Sequence, residues 1–162
     1  MSHGWWSRYQ FGGVWRVAAP AGDVFAVLNE PMDYPRWWPE IREVVRTGEE
    51  SGTARFRSFL PYELRVGVRA GERDEALGRL EIRLSGDLEG WLCWSLFPQG
   101  RGTLVVHAQD CVVTGGLPLR LGPLARPVFR ANHAAMMRSG ERGLRAWTRG
   151  RRGPRDPRGS RP

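Results

Sequence analysis

ARPVFRANHAAMMRSGERGLRAWTRG, residues 125–150, is the longest run of helical periodicity in the chain. Phe129, His133, Met136, Met137, Gly140, Leu144 and Trp147 recur every three or four residues and trace one stripe, the face that a helix lays on a neighbouring layer. Gly140 and Gly143 interrupt it, each weakening a helix by roughly 1 kcal/mol relative to Ala, so they point to a bend or to the close approach of another segment.

The layer that receives this stripe lies upstream. Between Thr53 and Thr114 the chain reads as successive antiparallel strands, TARFRSFL, ELRVGVRA, GRLEIRLS, GWLCWSLF and TLVVHAQDCVVT, separated by turn residues. Leu64, Val66 and Val68 alternate with Glu63, Arg65 and Arg69, and Leu80, Ile82 and Leu84 alternate with Arg79, Glu81 and Arg83, so one sheet face is apolar and the other wet. A turn centred near Gly100 in PQGRG would set Trp94 opposite Val106 and Cys93 opposite His107. In that register Leu92, Trp94, Leu96, Leu104, Val106 and Ala108 face the core. Cys93, His107, Gln109 and Cys111 then face solvent, and Asp110 falls on the cavity side near a strand end.

At the front, YQFGGVWRVAA alternates as a strand with a bend at Gly12-Gly13, and PAGDVFAVLNE carries helical spacing from Pro20 to the stop at Pro31. DYPRWWPEIREVV follows, with Asp33 placed to cap one short helical turn and Pro39 to open another. Tyr34, Trp37 or Trp38, Ile41 and Val44 or Val45 recur at helical spacing, so one Trp should face inward and the other sit at a rim; the spacing leaves open which.

A strand, two short helices, a run of antiparallel strands and one long terminal helix is the order of the helix-grip fold. AAPAGDVFAVLNEPMDYPRWWPEI, SGDLEGWLCWSL with Gly102-Thr103, and ARPVFRANHAAMMRSGERGLRAW resemble the START-like, polyketide cyclase-like (SRPBCC) superfamily over about residues 8–148. The resemblance implies an α+β domain. In it, a curved antiparallel sheet of about six or seven strands wraps around the C-terminal helix, and two short helices follow the first strand. It also implies a cavity between helix and sheet, closed at one end by the segment holding Trp37 and Trp38. Superfamily members include lipid carriers and cyclases, so fold alone does not choose between binding and catalysis.

The chain divides into an N-terminal arm (1–7), this domain (8–148) and a tail (149–162). The tail holds +5 of the formal charge of +8 and has no apolar residue to bury, so disorder is expected there. That location argues against nucleic acid as a partner for the domain and leaves a tail-mediated polyanion contact as a separate reading. Cys93 and Cys111 have no metal-ligand spacing, and the strand register puts them about 13 Å apart along the sheet, too far for a disulfide. No secretory leader or membrane-length apolar run is present, so a cytoplasmic protein without a membrane span is expected.

No phosphate loop, HExxH pair or GxSxG turn occurs, and no cofactor or metal is expected. The expected partner is a hydrophobic small molecule, lipid or polyketide-like. Trp37, Trp38, Phe59, Tyr62, Trp94, Val106, Phe129, Asn132, Met136 and Met137 are the candidates to line its site. His133, on the helix stripe, and Asp110 are the candidates for acid/base chemistry of the cyclase or dehydratase type, set against the more ordinary readings of a hydrogen-bonded structural histidine and a strand-ending aspartate. Arg57 could meet a ligand carboxylate or lie on the outer sheet face.

Overall fold

The computed structural model describes residues 5–115 and 120–151. Strand β1 (Arg8–Val17) leads to helix α1 (Ala21–Leu28), a 3-10 turn (Pro31–Asp33) and the single turn of α2 (Tyr34–Trp37). Strands β2 (Ile41–Arg46), β3 (Ser51–Phe56), β4 (Leu64–Asp74), β5 (Arg79–Gly86), β6 (Leu88–Gln99) and β7 (Gly102–Val113) follow, and α3 (Arg126–Arg151) ends the described chain. All seven strands form one antiparallel sheet in the order β1-β7-β6-β5-β4-β3-β2. Register shifts in β2 between Ile41 and Glu43, and in β4 between Ala70 and Arg73, add kinks of the kind that bend a sheet. This is the α+β helix-grip architecture.

Three local expectations are corrected. Ile41 to Arg46 is a strand, because the backbone is already extended at Trp38 (φ −122°, ψ 92°) and Val44 and Val45 suit a pleated ladder. Asp33 makes no capping hydrogen bond; its carboxylate pairs with Arg36 at 3.2 Å instead. At Gly12-Gly13 the β1 ladder runs unbroken against β7, and the missing Gly13 side chain makes room for the His107 ring, 2.6 Å from where a Cβ would stand. At the chain ends, Trp5–Ser7 forms a 3-10 turn whose carbonyls at Trp5 and Trp6 accept from Arg126, and α3 continues three residues past the expected boundary to Arg151. The rest of the tail, 152–162, lies outside the described residues.

The core has two centres. One gathers Trp15, Trp94, Leu96 and Val105 of the sheet with Val24 and Leu28 of α1, Trp37 of α2, the adjoining Trp38, and Leu144 of α3. The other gathers Tyr9, Leu64, Val66, Leu88, Cys111 and Val113 around Phe129 near the start of α3. Both adjacent tryptophans are buried, so neither is a rim residue. Their rings stack at 5.5 Å, and the Trp38 indole N–H donates to the Met136 carbonyl at 2.9 Å. The two helix glycines make this docking possible: the Trp38 ring covers Gly140, and the Trp37 carbonyl lies against Gly143.

Candidate functional site

A cavity of about 360 Å³ lies between the two core centres, under α3 and against the concave sheet face. Its wall is mostly aliphatic and aromatic, with Ile41, Val44, Phe56, Leu64, Val68, Leu80, Ile82, Leu88 and Leu92 from the sheet and Phe129, Met136 and Met137 from α3. Trp38 closes one side, held there by its hydrogen bond to Met136. Exposed and charged lining residues gather at the mouth: Glu30, Arg46, Glu49, Glu50 and Arg73, tied by Arg46–Glu30 at 3.9 Å and by a close Arg73–Glu50 contact.

The other end carries neutral polar groups. His133 stacks on Phe11, with ring centroids 3.6 Å apart, and its Nε2 lies 3.1 Å from Gln109 Oε1. Gln109 Nε2 in turn donates to Cys111 Sγ at 3.4 Å. With the amide oriented that way, Oε1 is the acceptor, so His133 carries its proton on Nε2 and keeps a lone pair on Nδ1. Burial is the main reason its pKa falls to about 4, and His107 and Arg130 push the same way. An imidazole so depressed is neutral at pH 7 and a weak base. Tyr62 and Asn132 complete this end; burial raises the Tyr62 phenol to about 12, so it stays protonated.

The structure separates the expected site residues. Trp38, Tyr62, Phe129, Asn132, His133, Met136 and Met137 line the cavity. Trp37 and Trp94 are buried in the adjoining core without lining it, and Phe59 is 64% exposed in the loop after β3. Arg57 is exposed and also outside the lining. Val106 and Asp110 are on the outer sheet face, and the reason is a one-residue difference in hairpin register. Gln99 pairs with Gly102, leaving a two-residue turn in which Gly100 supplies φ 59°, so Trp94 stands opposite His107 and Cys93 opposite Ala108. That shift exchanges the faces of the whole strand. His107, Gln109 and Cys111 therefore turn inward, Leu104, Val106, Ala108 and Asp110 outward.

Asp110 instead accepts from Arg8 at 2.7 Å and Gln10 at 3.0 Å, contacts that hold its carboxyl below the usual range. Asp110→Asn is expected to leave the affinity of any cavity ligand within twofold, as a fluorescence titration of both proteins would show. His107 lies between Trp15 and Trp94, 5.7 Å from each ring, with burial lowering its pKa. Gln109, whose only signal was the register, is a polar lining residue missed in the sequence, and the aliphatic lining from the sheet, such as Ile41, Leu64 and Leu92, was not singled out there either. Both cysteines are free thiols on opposite sheet faces, and burial raises Cys111 to about 11. Among the described residues no group of His, Cys, Asp or Glu could hold a metal ion, and no helix is long and apolar enough to cross a membrane.

A curved sheet gripping a helix over a ligand-sized apolar cavity defines a helix-grip domain of the START-like class. Residues 13–146 match the family described as polyketide cyclase / dehydrase and lipid transport, and the chain belongs to that family. Among solved structures it is similar to the Zhui aromatase/cyclase from Streptomyces sp. R1128, with 18% identity, 89% of this chain and 95% of that chain covered, and a TM-score of 0.74. A protein from Thermus thermophilus has 17% identity, coverage of 90% and 100%, and a TM-score of 0.76. A START superfamily protein from Mycobacterium smegmatis has 16% identity, coverage of 87% and 97%, and a TM-score of 0.67. No curated protein matches the sequence. At these identities the likeness is one of fold.

Proposed function

We propose that this protein binds a hydrophobic small molecule, lipid or polyketide-like, in the cavity between α3 and the sheet. The observation that carries the reading is the cavity itself: about 360 Å³ of space bounded by aliphatic and aromatic side chains, in the size range of ligand sites and larger than packing voids. Removing apolar ligand surface from water contributes about 25 cal/mol per Å² before the costs of association. The carrier reading is favoured over the cyclase reading because His133, at about 4, is a poor proton acceptor near neutrality, and Asp110 lies on the other side of the sheet.

The test is occupancy. Native mass spectrometry of protein purified from its own host should show a bound apolar compound, and titration with naphthalene should change the tryptophan fluorescence. Met136→Trp fills the space from the helix side and is expected to weaken naphthalene binding at least tenfold while leaving the far-ultraviolet circular dichroism intact. A wild-type protein that takes up no apolar probe, or a folded Met136→Trp protein that binds as well as wild type, would sink the proposal.

A further inference from the structure

Two side chains at the inner end of the cavity carry polar atoms with no partner. Asn132 is 8% exposed, and its Oδ1 has no hydrogen-bond donor; Tyr62 Oη is likewise buried and unpartnered. Both residues line the cavity. They belong to the same end: Tyr62 packs against the core centre that holds Phe129, and Asn132 follows Phe129 by one helical turn. Leaving such atoms unsatisfied carries their full desolvation cost, whereas leucine and phenylalanine would fill similar space without it.

The electrostatics of this end define what can satisfy them. The arginines that line the cavity, Arg46, Arg69 and Arg73, belong to β2 and β4, two of them in the ion pairs of the mouth, and none accompanies Tyr62, Gln109, Asn132 and His133. Arg130 is exposed on α3, with its guanidinium over the Tyr9 and Phe11 rings at about 6 Å, and does not line the cavity. A carboxylate at this end would lose its water without a lining cation to pair with, a cost much larger than that for a neutral group. A hydroxyl can serve either orphan, donating to Asn132 Oδ1 or accepting from the Tyr62 O–H, and the lone pair of His133 Nδ1 is a further acceptor.

We propose that the cavity selects an uncharged apolar molecule bearing a hydroxyl, phenol or enol at its inner end, recognised by Asn132 and Tyr62, and rejects the corresponding carboxylate. This rests on the cavity-binding reading above and specifies its ligand class.

The experiment titrates the full chain at pH 7 with naphthalene, 2-naphthol and 2-naphthoate, three probes sharing one apolar body. 2-Naphthol is expected to bind about tenfold more tightly than naphthalene, about 1.4 kcal/mol, and more than tenfold more tightly than 2-naphthoate. Asn132→Leu and Tyr62→Phe should each shrink the ratio of naphthol to naphthalene affinity toward one, and melting curves should show both variants folded. Naphthoate binding as tightly as naphthol, or a naphthol preference that survives in both variants, would overturn the proposal while leaving the binding reading in place. If none of the three binds, the binding reading falls and this one with it.

Discussion

Gly143→Ala is expected to lower the stability of this protein by about 3 kcal/mol or more, and its melting temperature by roughly 6–12 °C. A Cβ at this position would stand 1.7 Å from the Trp37 carbonyl oxygen, well inside any permitted contact. The obstacle is backbone, and it cannot swing aside, because the Trp38 indole N–H anchors the next residue to Met136 and the paired indoles are packed against Trp15 and Tyr34. The intrinsic helical advantage of alanine, about 1 kcal/mol, opposes the clash and is outweighed. Gly150→Ala is the control: nothing lies within 4 Å of that position, so the change should be neutral or slightly stabilising. Urea denaturation of the three proteins measures the difference directly. An alanine at 143 that leaves the midpoint unchanged would mean that α2 does not dock where it is seen.

Acidification should produce the second large effect. His133 has its pKa lowered to about 4, against an ordinary value of about 6.5 in the unfolded chain. The unfolded state therefore takes up a proton that the native state refuses. The stability associated with neutral His133 is fully present above pH 6.5 and is lost progressively as pH falls toward 4, by about 3 kcal/mol in all. His107, also lowered by burial, adds in the same direction. The ring stacks on Phe11 of β1 and pairs with Gln109 of β7, and the charges that act on it are those of His107 and, more weakly, Arg130, so no carboxylate stabilises an imidazolium here. His133→Gln should flatten the stability curve between pH 6.5 and 4 relative to wild type. Parallel curves for the two proteins would show that His133 titrates normally in the folded state.

Much of this architecture was legible because it repeats. Leu64, Val66 and Val68, or Leu80, Ile82 and Leu84, declare a strand and its buried face with period two, and the stripe from Phe129 to Trp147 declares a helix with period near 3.6. Those signals placed Phe129, His133, Met136 and Met137 correctly on the inner side of α3, although Trp147 is only partly buried and Asn132 is more enclosed than the stripe implied. What failed was information without a period. The face of every residue in β7 depends on whether the turn at Gly100 holds two residues or an odd number, and VVHAQDCVV is apolar enough on both faces to fit either register. Hence Val106 and Asp110 exchanged sides with His107, Gln109 and Cys111. The segment around Trp37 and Trp38 misled for a different reason: its helical turn is too short to keep a helical phase, and the chain straightens at Trp38, so two consecutive residues can both point inward.

The placement of β1 has a consequence for the way the chain reaches this structure. Arg8 pairs with Val112 and Val17 with Thr103, so among the described residues the first strand has its only sheet neighbour in the last. While the chain is being synthesised, β1 has no ladder to join until nearly the whole domain is made. It must meanwhile keep Tyr9, Phe11, Trp15 and Val17 out of wrong associations. The hairpins from β2 to β7 can form from local contacts, but closing β1 onto β7 carries the loop entropy of almost the entire domain, which places folding toward the slow, millisecond-to-second end of the range. The molecule should therefore pass through a stage in which its middle is ordered and its two ends are still searching for each other.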